Sequence, residues 1–376
     1  MKKALLITTV SGFIPQFQMH SVKFLQHKGY EVHYASNYNM PFYGEDNKRL
    51  DGTGIIRHQI DFARSPYSKQ TMIAYRQLKK LMKENSFNLV HCHTPMGGVI
   101  GRLAAKTTHT KPLIYSAHGF HFYKGAPIQN FLVYRTIEKY LAKYTDALIT
   151  TNSEDFEAAQ KFKMNQGGQV YFIPGVGIDV ENVQNLPVNI DKLRNDLHIF
   201  NETFVLLSVG ELSKRKNHEI IIKALNNLKD LNIVYLVCGH GELENYLKEL
   251  VNQLGLEKKV RFLGYQVALP YYHISNVLVH PSYQEGLSKA LMEAMASGLP
   301  VICSKIRGNI DLVDDNGGVL VKTNDVKGYE NAIFNLYHNE AMCINMGTYN
   351  IKKIKEFDVK TVEEMLESVY LKLITK

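Results

Sequence analysis

The stretch Pro281-Ser-Tyr-Gln-Glu285-Gly-Leu-Ser-Lys-Ala-Leu-Met-Glu293-Ala-Met-Ala-Ser-Gly-Leu-Pro300 decides how the chain is read. An apolar run ends at His280. A helical pattern begins near Leu287 and stops near Gly298, and Pro300 leads into the next apolar run. Strand, helix and strand in succession is the unit of a parallel sheet covered by helices. Glu285 falls in the turn before the helix and Glu293 about two turns inside it. At 1.5 Å per residue their separation is about 12 Å. That distance suits two parts of one extended ligand, such as a sugar and a ribose. The N–H groups of Gly286, Leu287, Ser288 and Lys289 would face an anion such as a diphosphate. Taken alone, two glutamates so spaced far more often belong to a solvated surface helix.

The same rhythm extends in both directions. Strand candidates in the first half are Ala4–Val10, Glu31–Ala35, Ile55–Ile60, Leu89–His93, Leu113–Ala117, Ala147–Thr151 and Val170–Ile173. Helical patterns such as Met72–Lys83 and Ile128–Lys143 lie between them. The second half offers Phe204–Val209, Ile233–Cys238, Val260–Leu263, Val277–His280, Val301–Cys303 and Val319–Val321. Between Pro174 and Thr203 the alternation pauses, and the hinge is expected there. The α/β chain therefore divides into two Rossmann-like parallel-sheet domains, 1–180 and 181–357. Ligands bind beyond the strand C-termini of such sheets, so two facing domains would enclose a deep cleft.

A length of 376 residues fits two or three domains. Hydrophobic residues make up 45% and charged residues 21%, which excludes a disordered or fibrous chain. The net charge of +8 is unevenly spread. Residues 1–180 hold 22 basic and 12 acidic side chains, a net of +10, and the remainder 22 and 24, a net of −2. The first half thus favours an anionic partner. Cys92, Cys238, Cys303 and Cys343 form neither a disulfide framework nor a zinc spacing, so a reduced cytosol is expected. The opening Met1-Lys2-Lys3 with Ala4–Val10 imitates a signal peptide. Its apolar run is short and lacks a cleavage site, so it reads as a first strand. No stretch reaches the roughly 20 apolar residues that span a bilayer.

Pro-Ser-x-x-Glu-Gly followed by Glu-Ala-Met-Ala-x-Gly-x-Pro-Val-Ile resembles the donor-site signature of the family 4 retaining glycosyltransferases. The resemblance extends to Val209-Gly-Glu-Leu-Ser-Lys-Arg-Lys216, Gly239-His-Gly-Glu, Val260–Gly264 and Ile173–Asp179. It also covers Leu89–Pro95, Ser116–His121 and Lys124–Pro127, which are similar to the exopolysaccharide and capsule branch. The resemblance implies the GT-B fold and a C-terminal helix, about 358–376, returning to the first domain. Val362–Ile374 is the amphipathic candidate for it.

By the same resemblance Glu285 lies near the donor sugar, Glu293 holds the ribose hydroxyls and Lys216 neutralises the diphosphate. His118 contacts the donor sugar or an acceptor hydroxyl, and His93 and His121 are acceptor-side candidates. Gly12 and Gly239 let backbone approach the ligand, while Gly286, Leu287 and Ser288 present amides to it. The family often has an arginine five residues before its lysine. Glu211 stands there instead, so that either Lys214 or Arg215 replaces that cation or a single cation suffices. No Asp-x-Asp occurs, and no obligatory metal or other cofactor is expected.

Two groups mix aromatic and basic residues. One holds Phe62, Arg64, Tyr67, Lys69, Tyr75, Arg76, Lys79, Lys80 and Lys83. The other holds Phe120, Phe122, Tyr123, Lys124, Phe131, Tyr134, Arg135, Lys139, Tyr140 and Lys143. Such a surface suits anionic lipid, although core aromatics beside a solvated face give the same pattern. The expectation is a peripheral enzyme on the cytoplasmic membrane face. It would move a sugar, an N-acetylhexosamine by resemblance, from a UDP donor to a polyprenyl-diphosphate-linked saccharide. The alternatives are a nucleotide-sugar epimerase or phosphorylase on the same architecture and a non-catalytic nucleotide-sugar-binding subunit. Nucleic-acid binding has only the charge in its favour, since no recognition module is visible.

Overall fold

The computed structural model describes residues 1–42, 46–63, 65 and 68–375. Arg64 and Tyr67 of the aromatic and basic group lie outside the described residues. The chain folds as two compact units. One is Met1–Val176 together with the chain from Lys360 onward, and the other is Gly177–Val359.

The first unit is built on a seven-stranded parallel sheet. Its strands are β1 (Lys2–Val10), β2 (Tyr30–Asn37), β3 (Ile56–Gln59), β4 (Leu89–His93), β5 (Leu113–Ala117), β6 (Ala147–Thr150) and β7 (Gln169–Phe172). They lie in the order β3-β2-β1-β4-β5-β6-β7. The second unit has β8 (Phe204–Val209), β9 (Ile233–Cys238), β10 (Val260–Gly264), β11 (Val277–His280), β12 (Val301–Ser304) and β13 (Gly318–Val321). Their order is β10-β9-β8-β11-β12-β13. Central strands covered on both faces must be apolar throughout, and β4, β5, β9 and β11 are buried along their whole length.

Strand order reverses between β1 and β4 and again between β8 and β11. In open α/β sheets the crevice beyond such a switch point receives the ligand. In the first unit the Pro95–Thr108 helix lies unusually close to the sheet there. A Cβ on Gly98 would fall 2.2 Å from the Tyr115 ring, and one on Gly101 would fall 2.4 Å from Cys92 Sγ. Only glycine permits that approach.

Beside it Arg102 is wholly buried. Its guanidinium stands 3.9 Å from the Tyr115 ring centroid, and its Nη2 donates to Glu138 Oε2 at 2.8 Å. The stretch read as a single helix over Ile128–Lys143 is broken up. It runs as Ile128–Asn130, a π turn at Phe131–Arg135, and an α-helix at Thr136–Ala142. The helix Val359–Ile374 buries Val362, Leu366, Val369 and Tyr370 in the core that holds Leu6, Val22 and Leu25 of the first unit.

Candidate active site

The segments leaving β8 and β11 are stitched together. After β8 the chain makes a 3-10 turn at Lys214–Lys216 and passes through Asn217 at φ 55. The Asn217 amide donates to Pro281 O at 3.2 Å and Thr323 O at 3.1 Å. Tyr283 N donates to Arg215 O at 2.8 Å, and Arg215 Nη1 donates to Gln284 O at 3.1 Å. These bonds place Glu285 against the basic turn. Its Oε1 accepts from Lys216 Nζ at 2.7 Å and Arg215 Nη1 at 3.0 Å, and lies 3.3 Å from His280 Nε2. The Lys216 and Glu285 side chains are only 12% and 10% exposed, whereas Arg215 is 42% exposed.

Burial by itself would raise the Glu285 carboxyl. Lys216, His280 and Arg215 together outweigh it and hold the group well below the usual carboxylate range. Burial, then Lys216, pushes His280 down. Of the two replacement cations, Arg215 is the one brought to Glu285, while Lys214 is exposed on the same turn.

Glu293 sits in a different setting. Its Oε2 accepts from the Tyr272 hydroxyl at 3.0 Å, and its Oε1 lies 3.5 Å from Lys289 Nζ. Burial dominates here and raises the carboxyl, against the opposing pull of Lys289 and Tyr272.

The helix bearing Glu293 begins at Lys289, two residues later than its sequence suggests. Ser288 is the reason. It is the N-cap, and its side chain accepts from Leu291 N at 3.4 Å. Gly286 and Leu287 therefore precede the helix, so less of the stretch from Glu285 to Glu293 is helical than expected. The backbone at Glu285 and Gly286 is held instead by the loop after β12. Arg307 Nε donates to Glu285 O at 3.2 Å, and a Cβ on Gly308 would lie 2.2 Å from Gly286 O.

Gly239 has φ 152, and a Cβ on it would lie 1.9 Å from Gly210 O. Its bareness admits the chain's own neighbouring turn. The same holds at Gly12, where a side chain would meet Pro41 O and Phe42 O at 1.9 and 1.6 Å.

In the first unit the residues at the ends of β4 and β5 are stacked imidazoles. His91 and His93 share a face of β4 with ring centroids 4.0 Å apart. His93 Nδ1 faces His118 Nε2 at 3.3 Å, and Phe13 lies 5.0 Å from the His118 ring. His91 is pinned on both sides, Nδ1 to the Tyr370 hydroxyl at 2.7 Å and Nε2 to Ser116 Oγ at 2.9 Å. Burial lowers His118 to about 4. Burial, with His118 second, lowers His91 to about 3. Burial also takes His93 well below the ordinary value. All three are neutral at pH 7.

His93 Nε2 is buried without a hydrogen-bond partner. An orphaned buried N–H is the rarer kind of orphan, which favours the proton on His93 Nδ1. His93 then donates to His118, which leaves the His118 proton on Nδ1.

His121 stands apart from this stack, 4.9 Å from the Tyr134 ring, with its carbonyl accepting from Asn130 Nδ2 at 2.8 Å. The loop carrying both histidines is tied to the Ser153–Gln160 helix through Phe120 N to Asp155 Oδ2 at 2.9 Å.

Sequence reading missed Arg307, His280, Tyr272 and Tyr370. His280 and Arg307 sit at or just beyond strand C-termini, where the fold rule would have pointed. Tyr272 and Tyr370 carried no local signal. Among the described residues no group of three or more His, Cys, Asp or Glu is placed to hold a metal ion, and no helix is long and apolar enough to cross a membrane.

Residues 3–152 match the family described as glycosyl transferase 4-like, and residues 189–353 match glycosyl transferases group 1. The putative glycosyltransferase EpsD of Bacillus subtilis is 34% identical over 389 residues, covering 100% of this chain and 98% of the relative. The UDP-Gal:alpha-D-GlcNAc-diphosphoundecaprenol alpha-1,3-galactosyltransferase of Escherichia coli is 29% identical over 304 residues, covering 79% and 78%. The crystal structure of Anabaena HepE in complex with UDP-glucose superposes with a TM-score of 0.79 at 20% identity, covering 99% of this chain and 100% of that one. The chain belongs to the family 4, group 1 glycosyltransferases and has their GT-B fold.

Proposed function

We propose that this glycosyltransferase is a retaining enzyme that moves an N-acetylhexosamine from a UDP-linked donor to a hydroxyl of a polyprenyl-diphosphate-linked saccharide, in exopolysaccharide or capsule assembly. The observation that carries this reading is the convergence of Lys216, Arg215 and His280 on Glu285. A diphosphate leaving group gathers negative charge as its bond to the sugar stretches. Cations already fixed in place stabilise that charge without reorganising. Glu285 pairs with both cations. An arriving diphosphate, more highly charged than one carboxylate, takes them over. The Glu285 carboxylate is then released to accept sugar hydroxyls beside the positive anomeric carbon. Glu293 accepts from the ribose hydroxyls, and His118 donates its Nδ1–H to a sugar oxygen.

The acceptor oxygen bonds to the anomeric carbon on the face from which the UDP oxygen departs. The departing phosphate oxygen takes the acceptor proton. This step needs no enzyme nucleophile, and with Lys216 and Arg215 neutralising the diphosphate it requires no obligatory metal.

The galactosyltransferase relative's name supports the donor and acceptor classes, since it joins a UDP-sugar to a diphosphoundecaprenol-linked sugar. That name, with the UDP-glucose complex of HepE, favours a second reading in which the transferred sugar is an unsubstituted hexose. We place the enzyme peripherally on the cytoplasmic membrane face. Exposed Arg76, Lys80, Lys83, Arg135, Lys139 and Lys143 on the first unit support this.

The test is a panel of nucleotide sugars with and without a lipid-linked saccharide, followed by nucleotide release, product mass and the anomeric configuration of the product. Acceptor-dependent release of UDP with a retained anomer is expected. Donor conversion without acceptor would point to an epimerase. Absence of turnover with every donor would overturn the reading.

A further inference from the structure

Two cavities of the first unit share a wall. One, of about 250 Å³, has Thr9 and Thr94 among its lining residues, at the ends of β1 and β4. The other, of about 160 Å³, is walled by Val99, Tyr115, Phe120, Tyr134 and Ile137. Pro95, Met96 and His121 line both. The first therefore offers hydroxyls and an imidazole, and the second mainly hydrocarbon and aromatic ring. Glu138 also lines the second, but its carboxylate is bonded to buried Arg102. The charge in that wall is therefore already neutralised.

The surroundings of the apolar cavity continue its chemistry. Thr71, on its wall, is followed by Met72 and Ile73, which are 56% and 46% exposed. Tyr134, also on its wall, is preceded by Leu132 and Val133, 68% and 45% exposed, and Ile128 nearby is 78% exposed. Large apolar side chains held in water on both flanking helices are the unusual observation, because such patches mark interaction sites. The same two segments carry exposed Arg76, Lys80, Arg135 and Lys139, which suit phosphate. A π turn lies among them, a distortion frequent at functional sites.

We propose that the apolar cavity seats the hydrocarbon chain of the acceptor lipid, next to the polar cavity that takes its saccharide, with His121 at the junction. An amphiphile has one polar and one apolar half, and these adjoining cavities divide in the same way. The flanking cations meet the diphosphate that joins the halves, and the exposed apolar side chains enter the lipid surface from which the chain is drawn. The proposal rests on the reading that the acceptor is lipid-linked, and it makes chain length a determinant of acceptor choice.

Val99 is half-buried in the cavity wall, so Val99→Phe fills the cavity without opening the core. Two acceptors with the same saccharide diphosphate, one on a long isoprenoid and one on a short water-soluble alkyl chain, give the measurement. Wild type should prefer the isoprenoid acceptor in kcat/KM, and Val99→Phe should reduce that preference roughly tenfold, the equivalent of about two buried methylenes. A binding measurement with farnesyl diphosphate, against inorganic diphosphate, reads the cavity independently of turnover. Farnesyl diphosphate should bind wild type more tightly than inorganic diphosphate does, and Val99→Phe should lose that margin. Chain-length preference and farnesyl affinity both untouched by the substitution would overturn the proposal while leaving the glycosyltransferase assignment standing. Farnesyl binding that responds to Val99→Phe, with no transfer to any acceptor, would keep the cavity and remove the reaction assigned to it.

Discussion

At the end of β11 two cations and an imidazole converge on one oxygen of Glu285, whereas at the end of β4 three imidazoles lie together with no charge among them. Both clusters occupy a switch point of a parallel sheet, and both are largely buried. They differ in how each meets the cost of burial. In the second unit opposite charges compensate one another, and in the first unit the protons leave. Under the proposed reaction the contrast follows the chemistry each end would face. A departing diphosphate needs fixed positive charge, and a sugar hydroxyl needs an oriented neutral hydrogen-bonding group. The two glutamates of one motif repeat the lesson at shorter range. Glu285, beside Lys216, is held well below the carboxylate range, and Glu293, beside a tyrosine, is raised.

Lys216→Ala tests the charged end most severely. Turnover should fall by roughly 10²–10³, the loss typical of one charge-stabilising group, in initial-rate assays at saturating donor. A rate within a few-fold of wild type would show that charge there is incidental. Glu293→Ala should weaken UDP binding by about tenfold to a hundredfold, as for a lost hydrogen bond to a charged group, measured by calorimetry. Unchanged affinity would remove Glu293 from the donor site.

The neutral end is expected to be less sensitive. His93→Phe keeps a ring in the stack but cannot donate to His118, and should lower kcat about tenfold. His93→Asn, which can donate, should recover part of that loss. Equal activity in the two variants would mean that His93 only fills space.

The remaining test is of stability. Folded His91 and His118 bind protons only near pH 3 and 4, whereas unfolded histidine binds them near pH 6.5. Their contribution is complete above about pH 6.5 and drains away as pH falls toward the folded values. Glu285, also lowered, acts in the same direction at lower pH, its contribution being present above the usual carboxylate range and lost on acidification. The urea midpoint should therefore be flat above neutrality and decline below it. A midpoint constant down to pH 4.5 would break the comparison.

Much of this was legible in the chain because parallel strands buried on both faces are unbroken apolar runs. β4, β5, β8, β9 and β11 have the bounds their apolar runs suggest. The link between Glu285 and Lys216 followed from motif resemblance. Their hydrogen bond did not, because 69 residues separate them and only the sheet order brings them together. Local detail was lost where a cap overrode the apolar pattern, as at Ser288. It was also lost where exposed Ile128, Leu132 and Val133 disguised a π turn as one helix. Tyr370 was invisible as a site residue, since its partner His91 lies 279 positions away.

The return of Val359–Ile374 to the first unit also constrains the order of assembly during synthesis. When β1 to β7 have left the ribosome, their unit still lacks Val362, Leu366, Val369 and Tyr370, and His91 Nδ1 has no hydroxyl beside it. The whole of Gly177–Val359 must be translated before that helix arrives. At about 5–20 residues per second, the wait is on the order of ten seconds or more. Translation reaches the first unit first, yet that unit is completed last.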